Sequence, residues 1–196
     1  DFGEGSLTES GYPNQVKIWK RGTLLNDAKL IYSGDKKDVG TWGGILLDGN
    51  ISYVYIQRAK TFFSTQKMIW LNNNIITLDI PEDCNLNGIL NNQLIIQLKS
   101  DWAEGGKQFK TGSLLSLEFT ALLKGIKVIN LIFEPNEASS INEVSITKNN
   151  LLVNVLNNVT SQLSIFTLSG RGWVSQKVKS PDLGTITIRA SDELSD

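Results

Sequence analysis

Residues 143–178 read EVSITKNNLLVNVLNNVTSQLSIFTLSGRGWVSQKV and carry the clearest fold signal in the chain. Short apolar runs alternate there with turns rich in Asn, Ser and Gly, residues that accept the backbone conformations of tight turns. The runs are Glu143–Thr147, Leu151–Leu156, Leu163–Leu168 and Trp173–Val178. Runs of this length between turn residues predict strands, so the stretch predicts a four-stranded antiparallel meander.

The same pattern extends outward to the rest of the chain. Asp48-Gly49-Asn50 and Asn72-Asn73-Asn74 each separate two apolar runs, which predicts two more hairpins. We expect further strands at Val16–Trp19, Lys29–Tyr32, Gln93–Leu98, Ser113–Leu117, Val128–Phe133 and Thr185–Ile188. Apolar residues at helical spacing before Gly125 predict one short helix near residues 118–124. The end of the chain, Asp192–Asp196, is acidic, and we expect it to be frayed.

The meander units recur every roughly 40–50 residues, a period typical of β-propeller blades. Several strands, such as Leu94-Ile95-Ile96, are apolar on both faces, which suits a sheet covered on both sides. We therefore predict an all-β fold, a single partial β-propeller over residues 1–196 with about four blades of antiparallel β-meander sheets. The expected blades are residues 14–33 (partial), 41–81, 88–135 and 140–190.

Composition excludes several classes of function. A net charge of −1 without a basic patch argues against a nucleic-acid partner. No apolar run approaches the ~20 residues of a membrane-spanning helix, so we expect no membrane partner. The chain begins at Asp1 rather than Met, and we expect it to be part of a longer protein. Cys84 is its single cysteine, so nothing demands an oxidising compartment, and we expect a cytoplasmic location.

The chain contains no histidine and no Gly-x-Ser-x-Gly motif. A Ser-His-Asp or Cys-His site needs an imidazole to accept the proton of the nucleophile. We therefore expect no catalytic residue in this chain, although a Ser-Lys pair stays open. With Cys84 alone and no histidine, we also expect neither a metal site nor a cofactor.

An ordered series of short motifs resembles the propeller of one branch of the prolyl oligopeptidase family. The resemblance extends to about residue 178, and it rests on the order and spacing of the motifs rather than on any one of them. They are Gly5–Pro13, Val16-Lys17, Trp19–Thr23, Leu78–Pro81, Lys99–Trp102, Gly112–Leu115, Phe133–Pro135, Thr147–Asn149 and Asn157–Val159.

The resemblance implies a propeller that covers the Ser-Asp-His site of an α/β-hydrolase domain and admits only short peptides. The hydrolase domain, absent from these 196 residues, would be the partner of this chain and would carry the triad. We expect Ser6, Ser10, Tyr12 and Trp19 to face the substrate tunnel or the domain interface; the alternative is that they are ordinary loop and core residues. Asn14 departs from the family branch, which usually has a basic residue directly after Gly-Tyr-Pro.

Alternatives stay open at this point. The chain could be a propeller module that binds a protein or glycan by itself, a structural repeat protein or an unrecognised enzyme. The five tryptophans recur about once per unit, which favours packing between blades over a ligand-stacking role. An incomplete propeller leaves apolar blade faces uncovered, so we expect the isolated chain to self-associate.

Overall fold

The computed structural model describes Gly3, residues 5–180 and residues 184–196. The chain divides into two compact units. The first extends to Leu46 and resumes over Ser52–Asp83, and the second comprises Leu47–Ile51 and the chain from Cys84 onward. Within the described residues, every helix falls short of the length and apolarity that a bilayer crossing requires.

The first unit contains two antiparallel sheets, except for the hairpin tip Leu47–Ile51. One pairs strands β1 and β2, and the other has four strands in chain order, β3-β4-β5-β6. The strands are β1 (Gln15–Ile18), β2 (Lys29–Ser33), β3 (Gly40–Asp48), β4 (Ile51–Ala59), β5 (Thr65–Leu71) and β6 (Asn74–Thr77). A 3-10 turn over Leu25–Asp27 lies between β1 and β2.

The second unit contains two four-stranded antiparallel sheets and one small hairpin. The strands and the helix are β7 (Asn85–Leu90), β8 (Gln93–Gln97), β9 (Trp102–Glu104), β10 (Lys107–Phe109), β11 (Leu114–Glu118), α1 (Phe119–Leu122), β12 (Ile129–Phe133), β13 (Ser139–Ile146), β14 (Asn150–Asn157), β15 (Thr160–Ser169) and β16 (Gly172–Lys177). One sheet has the order β7-β8-β11-β12 and the other β13-β14-β15-β16, while β9 and β10 pair apart from them. The all-β prediction and the meander topology are confirmed.

The hairpin turns use the residues that the sequence indicated. Asn72 and Asn73 both have positive φ, 51° and 63°, and Gly49 has φ 58°. A positive φ at both central positions matches the right-handed twist of the flanking strands. Asn91 and Asn92 repeat this geometry between β7 and β8.

The predicted short helix is confirmed as α1, a single turn with Phe119 and Leu122 buried. Gly125 follows it with φ 78°, and its amide donates to the Leu122 carbonyl at 2.9 Å. A glycine at this position closes the helix without a Cβ clash.

Each unit has its own core. In the first unit Val16, Ile56 and Met68 pack together with Ile31, Tyr32 and Trp70 at their margin. The core of the second unit is built from Leu90, Ile95, Leu114, Ile146, Leu151, Val153, Val155 and Phe166. Consecutive residues of β8 (Leu94, Ile95 and Ile96) have no exposed surface, so this strand is buried on both faces as predicted.

Two expectations about the end of the chain are wrong. Thr185–Ile188 is not a strand, because its backbone pairs with side chains: the Ile188 amide donates to Glu143 Oε2 at 2.9 Å, and the Ile186 carbonyl accepts from Asn154 Nδ2 at 2.7 Å. The Asp192–Asp196 end is not frayed, because the Asp196 carboxylate and the Ser195 carbonyl are bound by the turn between β13 and β14.

The tryptophans correct a third expectation. Trp70 and Trp173 pack against the cores of their units, as the packing interpretation requires. Trp19 and Trp42, however, are 47% and 38% exposed. Burying an indole requires both a large apolar cavity and a partner for its N–H, and the sequence position alone specifies neither.

Candidate functional site

The loop that precedes β1 contains three of the four predicted site residues and is tied closed on itself. The Thr8 amide donates to the Tyr12 carbonyl at 2.8 Å, and the Asn14 amide donates to the Ser6 carbonyl at 2.9 Å. These bonds make an isolated bridge between Leu7 and Pro13. Residues 6–14 therefore form a compact loop closed by its own hydrogen bonds rather than an open coil.

Ser6 lies at the base of this loop, whereas Ser10 lies at its tip. Ser6 is 3% exposed, and its Oγ donates to the Gly3 carbonyl at 2.7 Å. Ser10 is exposed, next to Glu9, whose amide donates to the Lys36 carbonyl at 2.8 Å. Of the two serines, only Ser10 is open to an incoming molecule.

Asn14, which departs from the family pattern, is an anchor of the loop. It is 2% exposed, its carbonyl accepts from the Gly34 amide at 2.8 Å, and its Oδ1 accepts from Ser33 Oγ at 3.1 Å. A neutral amide can be buried in this way because its polar atoms find partners, whereas an unpaired charge at the same place would be costly.

Tyr12 stands at the surface against Trp42. The ring centroids are 6.2 Å apart at an interplanar angle of 61°, an edge-to-face contact, and Tyr12 is 46% exposed. Gly40 makes this contact possible, because a Cβ there would lie 2.7 Å from Trp42 Cη2 and 3.0 Å from Tyr12 Cβ. Tyr12, Trp42 and Gly40 form an aromatic step beside the exposed Ser10.

Trp19 lies at the other end of β1 from this loop. Its Nε1 donates to the Thr23 carbonyl at 3.2 Å, and it borders an apolar groove of about 460 Å³. The groove is lined by Gln15, Val16, Lys17, Ile18, Trp19, Ile31, Gly43, Gly44, Ile45 and Val54. The structure thus brings Ser6, Ser10 and Tyr12 into one loop and places Trp19 apart from them.

Four connections meet at one end of the first unit, which we term the loop end: residues 5–14, 34–39, 60–64 and 78–83. The meander order places the last three at the same end of the β3–β6 sheet. Hydrogen bonds link these connections: the Val39 amide donates to the Ala59 carbonyl, and the Thr65 amide donates to the Glu82 carbonyl. The Pro13 carbonyl accepts from the Thr41 amide at 2.7 Å, which adds the first loop.

Two carboxylates hold the loop end together, and the sequence did not single out either. Asp38, 5% exposed, pairs with Arg58 at 2.7 Å. Burial alone would raise the pKa of Asp38, but hydrogen bonds from Arg58 and the Asp35 amide hold it below its ordinary value. Glu82 binds Lys60 and Ser64, whose hydrogen bonds lower the pKa of Glu82. The partners lie about twenty residues away in sequence, so no local motif marks them.

The loop end combines ion-paired charges with exposed aromatic and polar side chains. Among the described residues, no group of three His, Cys, Asp or Glu side chains could hold a metal ion. The Asp38–Arg58 and Glu82–Lys60 ion pairs, with the contact of Lys67 to the Glu82 carbonyl, fix the shape of the loop end. Outward, the loop end presents aromatic and hydroxyl groups together with the exposed charged side chains of Glu9, Asp35, Lys36 and Lys37.

No protein-family model matches the chain. The chain is 33% identical to "Uncharacterized peptidase y4nA" of Sinorhizobium fredii over 98% of its own length and 28% of that protein. It is 30% identical to "Uncharacterized peptidase RP174" of Rickettsia prowazekii over 85% of its length and 24% of that protein. A structure of a post-proline cleaving enzyme from Rickettsia typhi superposes with a TM-score of 0.83 and 29% identity, covering 91% of this chain and 27% of that enzyme.

Over most of its length the chain is similar to a segment of enzymes of the prolyl oligopeptidase family. Its fold is that of part of the family's propeller region. Prolyl oligopeptidase B from Galerina marginata, at 12% identity and a TM-score of 0.64 over 93% of this chain and 26% of that protein, shares the fold. The chain spans about a quarter of the length of the relatives it matches.

Proposed function

We propose that this chain is the non-catalytic, substrate-gating propeller portion of a prolyl oligopeptidase-like serine peptidase that cleaves short peptides. The observation that carries the proposal is the match to the Rickettsia typhi enzyme, which covers 91% of this chain but 27% of that enzyme. Two peptidases with matching segments support the same assignment. The similarity to longer peptidases favours this function over a stand-alone binding module.

The amino-acid composition indicates that this chain does not supply the catalytic triad. A serine peptidase triad needs a histidine as general base, and these 196 residues contain none. In our proposal the nucleophile, the base and the oxyanion donors belong to a separate α/β-hydrolase domain of the same protein. That domain is the partner of this chain, and short peptides are the substrates of the whole protein.

The contribution of this chain is steric and electrostatic. A rigid cover over an active site admits flexible short peptides and rejects folded proteins, and it excludes water from the site. The rigidity of the loop end suits this role, and we propose that Ser10 and Tyr12 contact the hydrolase domain or the substrate tunnel. Ser6 would support the loop from its base, and Trp19 would act at a separate surface.

The first test uses the full-length protein with a fluorophosphonate probe. We expect labelling of a serine outside residues 1–196, and a labelled serine inside this range would contradict the proposal. The second test uses peptides of increasing length that carry the same cleavage sequence. A sharp fall in cleavage rate with length supports gating, whereas equal rates for short peptides and a folded protein would overturn it.

Two further parts of the proposal have their own measurements. The lone Cys84 fits a cytoplasmic location, which fractionation of the source cells would check. Self-association of the isolated 196-residue chain stays a prediction. Light scattering at high concentration tests it, and a clean monomer would contradict it.

A further inference from the structure

Phe62 and Phe63 are the most exposed aromatic side chains in the described part of the chain. They are 80% and 85% exposed, whereas Tyr12, Trp19 and Trp42 are all less than half exposed. The two phenylalanines are adjacent, in the loop Lys60–Ser64 between β4 and β5. Two neighbouring phenylalanines in water form an apolar surface that neither β4 nor β5 covers.

The loop that carries the pair is closed by its own backbone. The Lys60 and Thr61 amides both donate to the Ser64 carbonyl, at 3.0 and 3.3 Å. The Phe63 amide donates to Thr61 Oγ1 at 3.2 Å. The backbone at Phe62 and Phe63 is therefore held in one conformation before anything binds.

Glu82 clamps the same loop from the neighbouring connection. Its Oε1 accepts from Lys60 Nζ at 2.5 Å, and its Oε2 accepts from Ser64 Oγ. The Glu82 carbonyl accepts from the Thr65 amide and from Lys67 Nζ, each at 3.0 Å. Lys67 is itself 5% exposed, so it anchors the Glu82 backbone in the body of the unit, whereas the Lys60 and Glu82 side chains are each 38% exposed.

This combination has a physical consequence. A loop that is ordered before binding loses little conformational entropy when a partner covers it. Aromatic side chains that become fully desolvated at the centre of a contact dominate binding energies. An ordered pair of exposed phenylalanines is therefore well suited to bind another protein surface.

We propose that Phe62 and Phe63 dock onto the α/β-hydrolase domain of the same protein and hold the closed, substrate-gating state. The proposal rests on the function proposed above. Relatives are about four times as long as this chain, so most of the surface that could cover the pair lies outside it. A tethered domain is present at a high effective concentration, which favours it over a second copy or a passing peptide. The pair also lies at the loop end, as Ser10 and Tyr12 do.

The direct test is site-specific photocrosslinking in the full-length protein. Phe63 is replaced by p-benzoylphenylalanine, which keeps an aromatic ring at the position, and the crosslinked peptides are identified by mass spectrometry. We expect intramolecular crosslinks to the part of the protein with the fluorophosphonate-labelled serine. Crosslinks confined to residues 1–196, to another part of the propeller, to a second molecule or to an added peptide would overturn the docking proposal, as would the absence of any crosslink.

The functional test compares two double variants of the full-length protein. F62A/F63A removes the pair, and L24A/L25A removes two adjacent leucines, 75% and 60% exposed, from the other end of the first unit. We expect F62A/F63A to accelerate cleavage of long peptides by about tenfold or more, as loss of a contact hot spot would. Cleavage of a short peptide should change less, and L24A/L25A should resemble the parent for both. Equal behaviour of the two variants, with native circular dichroism, would contradict docking.

The two readouts separate this proposal from the one on which it rests. If the protein cleaves no peptide but the crosslink to the part with the fluorophosphonate-labelled serine forms, the peptidase assignment fails and the docking surface stands. If cleavage falls sharply with peptide length and no crosslink forms, gating stands and the docking surface is overturned.

Discussion

Arg58 binds Asp38, twenty residues earlier in the sequence, through two hydrogen bonds. Its Nε donates to Asp38 Oδ2 at 2.7 Å, and its Nη2 donates to Asp38 Oδ1 at 3.1 Å. The Asp35 amide also donates to Oδ2, at 2.8 Å. The ion pair thus joins the turn before β3 to the end of β4, and it holds two connections of the loop end at a fixed distance. A planar two-point contact of this kind holds geometry better than a single charge contact does.

We predict that Asp38→Asn loosens the loop end. The amide retains the shape of the side chain but removes its charge and one acceptor, leaving Arg58 without its partner. Loss of a hydrogen bond to a charged group at a buried site costs about 2 kcal/mol. Hydrogen exchange of the Asp35 and Val39 amides in the full-length protein should rise accordingly. Asp27→Asn, at an exposed position, should change exchange by about 0.5 kcal/mol or less, and equal effects would refute the prediction.

The same pair sets a pH dependence. Because the pKa of Asp38 lies below its ordinary value of 3.8 in the folded protein, the ion pair contributes its full stabilisation above about that pH. The contribution falls as the pH drops through the lowered pKa. Protection of the Val39 amide should therefore be lost in acid in the parent, and the Asp38→Asn variant should lack this part of the acid transition.

Glu82→Gln should mobilise the loop that carries Phe62 and Phe63. The hydrogen bond from Lys60, followed by that from Ser64, lowers the pKa of Glu82, so the clamp is charged and intact above about pH 4.5 and weakens as the pH falls below it. Faster hydrogen exchange over residues 60–64 is the expected result. Glu9→Gln, an exposed carboxylate on another connection of the loop end, is the charge-matched control. If both variants leave the loop equally protected, Glu82 is not its clamp.

Gly40→Ala should disturb the aromatic step at Tyr12. The added Cβ would overlap the Trp42 ring, with Cη2 at 2.7 Å, and would press on Tyr12 Cβ at 3.0 Å. Overpacking of this kind costs about 1–3 kcal/mol. A changed tryptophan emission spectrum and faster hydrogen exchange at the Thr8 amide would report it. Gly44→Ala, in the same strand with no heavy atom near its Cβ position, should leave both unchanged; a similar response there would rule out this explanation.

The local features of the fold could be predicted from sequence, because turns and alternating apolar runs act over a few residues. The Asn72–Asn74 turn and helix α1 are of this kind. Thr185–Ile188 shows the limit: its composition favours a strand, but its backbone groups bind Asn154 and Glu143 instead. A segment forms a strand only if another strand lies beside it, and the sequence of the segment alone does not specify that neighbour.

The candidate site divides in the same way. Ser6, Ser10 and Tyr12 were predicted together because they share one short motif, and the fold keeps them in one loop; their role stays a prediction. Asp38 and Glu82 were not predicted because their structural role depends on ion pairs with Arg58 and Lys60. The meander brings these partners close from about twenty residues away in the sequence. Ion pairs that join separate connections leave no local pattern.

Asp196→Asn should release the last residues from the turn between β13 and β14. The Asp196 carboxylate accepts from Asn149 Nδ2 at 2.5 Å, from Thr147 Oγ1 at 2.8 Å and from the Asn149 amide at 2.9 Å. These bonds, that from the Asn149 side chain first, lower the pKa of Asp196 to about 2.

The contact should therefore persist above about pH 4 and be lost progressively toward pH 2. Faster exchange at the Lys148 amide, which donates to the Ser195 carbonyl at 3.0 Å, would report release in the variant at neutral pH. Glu137→Gln removes the same charge elsewhere in the second unit and should not alter this amide. An unchanged Lys148 amide in Asp196→Asn would contradict the assignment.

Val159 has a strained backbone conformation, and replacing it should stabilise the protein. It occupies the second central position of the β14–β15 turn with φ 66° and is 92% exposed. A β-branched side chain is strained in the left-handed region, and burial at this site provides nothing to offset the strain. Val159→Gly should therefore raise the free energy of unfolding by about 1 kcal/mol, measured as a higher denaturant midpoint. Val174→Gly, the same change at an exposed position within β16, should lower it by about 1 kcal/mol, because glycine weakens a strand interior. If both changes destabilise equally, the turn does not impose the left-handed conformation on Val159.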